Sequence, residues 1–144
     1  MSPLSELLKK LLSDLVVFKF KTQKYHWNIE GPDFSQYHAF LATLYEDVEG
    51  SIDEIAELIR TMDVKVPGTL KEFLDMTSID EATDDPDAMT MLRNVLTDND
   101  KVIAVYYIAY KTAEEAGEMG ISNYLQDRIQ AHEKHRWMLR AITK

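Results

Sequence analysis

The chain has 144 residues, 45% of them apolar, with 25 acidic against 16 basic side chains and a formal net charge of −9. That length suits one domain, 1–144, with a buried core, and the negative balance argues against a general nucleic-acid binder, whose affinity needs basic surface laid on phosphates. There is no cysteine, which excludes a disulfide framework or a thiolate site and suits a cytoplasmic protein; neither a signal-peptide core nor a run of membrane-spanning length is visible.

Only five Gly and four Pro interrupt the sequence, so long regular elements are expected. The first is a helix over 3–29, capped by Ser2 with Pro3 in its first turn. Leu4, Leu7, Leu8, Leu11, Leu12, Leu15, Val16 and Phe18 recur at helical spacing, and Lys9, Lys10, Lys19, Lys21 and Lys24 read as its wet face. Gly31-Pro32 ends it. A second helix is expected over 34–63. Asp33 or Ser35 is its cap, and Asp33 with Gln36 forms a capping-box-like start. Its stripe is Leu41, Leu44, Tyr45, Val48, Ile52, Ile55, Ala56 and Ile59. Gly50 inside it costs up to about 1 kcal/mol relative to Ala.

Residues 64–85 form a connector in which LKEFLD reads as a short helix. A third helix follows, capped by Asp84 or Asp85 with Pro86 at its first position, running to about Glu118. Gly120 stops it, and Ser122 starts a fourth helix through Leu125, Ile129, Trp137, Met138, Leu139 and Ile142. Four long helices with one long connector, carrying a short helix between the second and third, give an all-α, ferritin-like four-helix bundle with a crossover.

The chemistry gathers in 26–57. His26 and His38 are two of four histidines, and Asp53 and Glu57 are spaced i,i+4 on one helical face. Imidazole plus carboxylate suits iron, manganese or zinc. Yet His38 and Asp53 stand 15 residues apart on one helix, roughly 22 Å along its axis and about 60° apart around it. One ion cannot touch both. Two copies of the helix, antiparallel about a two-fold axis near Tyr45 and Glu46, would bring His38 of one to Asp53 of the other. No Glu precedes any histidine by three residues, so the Glu-x-x-His centre of an ordinary di-iron bundle is missing. His132-Glu133-Lys134-His135 lacks the H-E-x-x-H spacing of a zinc protease and reads as a polar patch on the last helix.

HWN-x-x-G-x-x-F-x-x-x-H followed by D-x-x-x-E, carried by His26, Trp27, Asn28, Gly31, Phe34, His38, Asp53 and Glu57, resembles the Dps family of mini-ferritins. EKHRWMLRA at 133–141 resembles that family's last helix. The resemblance covers essentially the whole chain. It implies a hollow dodecamer that oxidises Fe(II) between two-fold-related subunits, with hydrogen peroxide the favoured oxidant over dioxygen, and stores ferric mineral inside, protecting against oxidative damage. By resemblance, His26 and His38 are iron ligands from one subunit and Asp53 and Glu57 from its mate; zinc or manganese are alternative occupants. Trp27 would take part in electron transfer or quench oxidising equivalents, with interface packing its equal alternative. The family usually places a carboxylate four residues after the second histidine; here stands Ala42. Glu46 and Glu49 lie near the same face, and Glu49 falls opposite Ala42 when the helix pairs with its mate. Glu114, Glu115, Glu118 and Asp127 are candidates for an acidic pore, with solvated helix ends the alternative. The rival functions are a nucleoid-compacting DNA binder, for which the chain shows no basic tail, and a non-catalytic, zinc-binding shell protein.

Overall fold

The computed structural model describes residues 2–144. Among them are five helices and no strand: α1 Pro3–Asn28, α2 Phe34–Thr61, α3 Leu70–Met76, α4 Ala88–Glu115 and α5 Met119–Thr143. The long helices pack α1 on α2, α4 on α5 and α1 on α4, while α3 lies against α1 within the crossover. Leu8, Leu11, Leu12, Leu15 and Phe18 of α1 meet Leu41, Leu44, Val48, Ile55 and Ile59 of α2 in one core with Leu92, Val95 and Val102 of α4 and Leu125 and Leu139 of α5. Each such side chain contributes about 1.5–3 kcal/mol on burial, so packing rather than propensity holds the helices. No helix among the described residues is long and apolar enough to cross a membrane.

Ser2 caps α1 by accepting from the Ser5 amide at 3.1 Å. The chain then reverses into α2 through Gly31, at φ +128°, a backbone conformation that a residue with a Cβ rarely adopts. Four boundary expectations are corrected. Asp33 precedes α2, but its side chain makes no capping hydrogen bond. Asp87, not Asp84 or Asp85, caps α4 by accepting from the Thr90 amide at 2.8 Å, which leaves Pro86 outside the helix. Helix α4 ends at Glu115 rather than near Glu118, because Gly117, at φ +73°, takes the left-handed position. The Gly117 amide donates to Glu114 O and the Glu118 amide to Ala113 O, the paired bonds of a Schellman stop. Gly120 is therefore not the stop, and Ser122 not the start: both lie inside α5.

The lysines of α1 are not a plain wet face. Lys21 is nearly enclosed, 2.8 Å from the Asp98 carboxylate on α4, and also donates to Asp80 O at 2.9 Å. Lys24 donates to Ala82 O and Asp84 O, both at 2.9 Å. Fully buried Asp14 accepts from the Thr77 hydroxyl and the Ser78 amide, each at 2.7 Å. These bonds fasten the crossover along α1. On α5, Leu125, Ile129 and Leu139 are buried, whereas Trp137 and Met138 are exposed.

Candidate metal centre

Antiparallel packing of α1 and α2 sets His26 against His38. Their rings stack at 3.7 Å between centroids, 13° from parallel. Each Nδ1 lies within hydrogen-bond distance of the other residue's backbone carbonyl, His26 to His38 O at 2.6 Å and His38 to His26 O at 2.7 Å. A carbonyl only accepts, so each Nδ1 carries a proton, and the tautomer this selects is the one that has its lone pair on Nε2. Backbone acceptors that fix tautomer and ring orientation in this way are the usual outer support of metal-binding histidines. Phe34 also stacks on His38 at 4.9 Å, and Tyr45 tilts against His26 at 5.3 Å. Both histidines are half-buried, at the rim of the bundle.

Asp53 and Glu57 lie farther along α2, on its solvent face with Glu46, Glu49 and Gly50. The Asp53 charge, with a hydrogen bond to Asp53, raises the Glu57 carboxyl above its ordinary range. Two carboxylates that repel each other on an open face are relieved by a shared cation. Along α2, Asp53 remains roughly 22 Å and Glu57 roughly 28 Å from His38. Among the described residues no three His, Asp or Glu side chains of one chain converge on a metal position. Trp27, 64% exposed, borders an apolar groove of about 350 Å³ shared with Val16, Phe20, Leu70 and Leu74.

The ferritin-like domain family matches residues 5–144. A Dps protein from Vibrio cholerae O1, described as a member of a broad superfamily of ferritin-like diiron-carboxylate proteins, superposes with a TM-score of 0.94 at 32% identity, covering 98% of this chain and 89% of that one. The DNA protection during starvation protein of Brevibacillus brevis is 34% identical over 137 residues, 94% of this chain and 91% of the relative. This chain belongs to the Dps family of ferritin-like proteins. A further relative by structure is antigen TpF1 of Treponema pallidum, with a TM-score of 0.95 at 28% identity, covering 98% of this chain and 91% of that one.

The other two histidines of this Dps-family chain serve differently. His132 is not part of a surface patch; it is fully buried. Its Nδ1–H donates to Asn99 Oδ1 at 2.7 Å, and its Nε2 accepts from Arg128 at 3.2 Å. Burial, with the Arg128 charge beside it, pushes its pKa well below the ordinary value. Arg128 clasps Asp47 with two bonds, 3.0 and 2.8 Å, and His135 Nε2 donates to Asp47 at 2.7 Å. Burial raises the Asp47 carboxyl, but the His135 and Arg128 hydrogen bonds outweigh it and hold it far below the usual carboxylate range. This network ties α2, α4 and α5 together and leaves His132 no free nitrogen for a metal.

The sequence places Tyr45 in the apolar stripe and near the proposed two-fold axis, and the structure adds that it lies against His26. Lys19 reads in the sequence as wet face, yet its side chain is only 13% exposed and its ammonium stands 3.5 Å from Glu49. Their spacing held the signal: Lys19 precedes His26 by seven residues and Tyr45 follows His38 by seven, so both repeat on the facing sides two turns away.

Proposed function

We propose that this protein is a ferroxidase and iron store whose reaction sites form between two-fold-related subunits of a closed shell, a dodecamer by family likeness. The observation that carries the reading is the division of one ligand set along α2: a histidine pair, His38 with His26 of α1, whose Nδ1 atoms are held by backbone carbonyls so that Nε2 is the metal-facing nitrogen, and an exposed carboxylate pair on the solvent face farther along. Antiparallel pairing of two α2 helices completes both sites at once, because a two-fold interface is self-complementary. The apolar groove beside Trp27, lined by α1 and α3 rather than α2, is further surface suited to burial in assembly.

Fe(II) is the substrate. His26 and His38 of one subunit and Asp53 and Glu57 of the other hold it, with zinc or manganese able to occupy the same donors. The carboxylates stabilise the ferric product more than the ferrous reactant, since added positive charge strengthens their attraction. Two Fe(II) each give one electron to hydrogen peroxide, the O–O bond breaks, and the oxygens leave as hydroxide or water. Trp27 passes or quenches an oxidising equivalent next to the site. The −9 charge draws cations toward the shell; exposed Glu114, Glu115, Glu118 and Asp127 at the α4–α5 turn are the proposed entry. DNA retention is no part of this reading, since counterion release needs basic surface.

Anaerobic Fe(II) loading followed by peroxide, watched by ferric absorbance, tests the reaction. Two irons oxidised per peroxide, with the response lost in His38→Ala, is the expected result. Fe(II) binding without peroxide-driven oxidation would make the protein a non-catalytic metal-binding shell instead.

A further inference from the structure

We propose that Lys19 limits each site to one tightly held iron by neutralising Glu49, the carboxylate placed to serve a second. The inference rests on the intersubunit site proposed above. Where α1 faces α2, His26 lies on His38, and Lys19 comes to Tyr45, its ammonium 6.0 Å from the Tyr45 ring centre and 4.8 Å from that of Phe20. Lys19 is thus two turns from the histidines, roughly 10 Å along α1. The pairing that brings His38 to the mate's Asp53 also sets Ala42 against the mate's Glu49, one turn from His38. Ala42 has no oxygen to offer, so Glu49 is the anionic donor nearest a second ion there.

Glu49 does not arrive as a bare carboxylate. The ammonium of Lys19 from its own chain is 3.5 Å away. That lysine is 13% exposed and lodged between two aromatic rings, which favour a cation over their faces and restrict its escape into solvent. An exposed lysine pair would be screened and loose; this lysine is enclosed, while Glu49 remains 57% exposed and free to turn toward the site once released. A second Fe(II) would therefore have to displace a fixed positive charge from its nearest anionic donor. Lys19 acts through Glu49 and is a positioning residue.

Co(II) is the probe, because it is redox-silent here and its visible absorption reports coordination. Calorimetric and spectroscopic titration of the assembled protein should give one tight Co(II) per subunit, lost in His38→Ala. Lys19→Met should add a second Co(II) per subunit with its own absorption band. Lys19→Arg should keep a single ion, and Lys19→Met/Glu49→Gln should return to one. A single ion in Lys19→Met, or a second ion that survives removal of Glu49, overturns the inference while leaving the site itself intact. Failure of the unmodified protein to bind Co(II) through His38 overturns the site and the inference together. If Lys19→Met does not assemble, Glu49→Gln alone decides: unchanged stoichiometry and affinity support a neutralised Glu49, and weakened binding shows that it is already a ligand.

Discussion

His132 and His26 both sit on long helices with an oxygen acceptor at Nδ1, yet their surroundings ask for different partners. Around His132 every need is met within the subunit: Asn99 takes the Nδ1 proton, Arg128 fills Nε2, and Asp47 closes the network through Arg128 and His135. Around His26 and His38 the Nδ1 acceptors are backbone carbonyls, and in the proposed site Nε2 is the nitrogen left for the metal. The carboxylates that would complete the set are on the same subunit but out of reach. The number of histidines near acids does not separate a core network from a metal half-site; the fate of the second ring nitrogen does.

The largest effect expected from this contrast is on metal binding. His38→Ala or Asp53→Ala should weaken tight Co(II) or Fe(II) binding by more than the about 10–100-fold that disturbing an outer partner costs. Metal-free melting should move little, because neither side chain is in the core. Arg128→Met should do the reverse. It leaves Asp47 with His135 alone and His132 Nε2 without a donor, and should destabilise by about 3 kcal/mol, the low end for breaking a buried pair, since Asp47 is 34% exposed and keeps the His135 bond. Its metal titration should match the unmodified protein. Loss of metal binding in Arg128→Met would dissolve the distinction between the two regions.

Much of the fold was legible because its signals are local. Leucines at helical spacing marked α1 and α2, and LKEFLD marked α3, found at Leu70–Met76 with a Thr69–Glu72 capping box. The boundaries that failed were choices among equivalent residues. Asp84, Asp85 and Asp87 are all good caps in sequence, and only Asp87 meets an amide, that of Thr90. Gly117 and Gly120 are both helix stops in sequence, and the one bonded back to α4 wins. The lysines of α1 misled for another reason: their partners, the carbonyls of 80–84 and Asp98, are distant in sequence. The motif at His26, His38, Asp53 and Glu57 was legible as chemistry, and the hairpin adds the tautomers. Lys19 and Tyr45 gained meaning only once α1 lay on α2.

A smaller effect sharpens the same contrast through pH. The His132 pKa is depressed in the fold, so below the unfolded value of 6.5 the unfolded chain binds the proton that the native chain refuses. Stability contributed by neutral His132 should be complete above pH 6.5 and fall as pH drops, by at most about 1.4 kcal/mol per pH unit. Asp47, depressed in the fold, adds a separate loss that begins as pH falls through the ordinary carboxylate range and grows under more acidic conditions, outside the His132 window. Melting from pH 7.5 to 5.5 should show the slope, and His132→Gln should flatten it. An unchanged slope in that variant would remove His132 as its source.

The smallest effect is at Gly50. A Cβ there meets nothing within 4 Å in the single subunit, so Gly50→Ala should gain up to about 1 kcal/mol from helix propensity alone. Close approach of a second α2 should cancel that gain and loosen assembly, which light scattering and melting together would register. A full gain with unchanged assembly would move the subunit contact off this face.

Co-assembly of His38→Ala chains with Asp53→Ala chains tests the divided site most directly. Each variant alone should bind no tight Co(II). A mixed two-fold interface carries one unmodified site and one doubly damaged site, so random mixing should restore about a quarter of the sites. Recovery to that level is the predicted result. Mixed assemblies that bind no more than either parent would contradict an iron site shared between subunits.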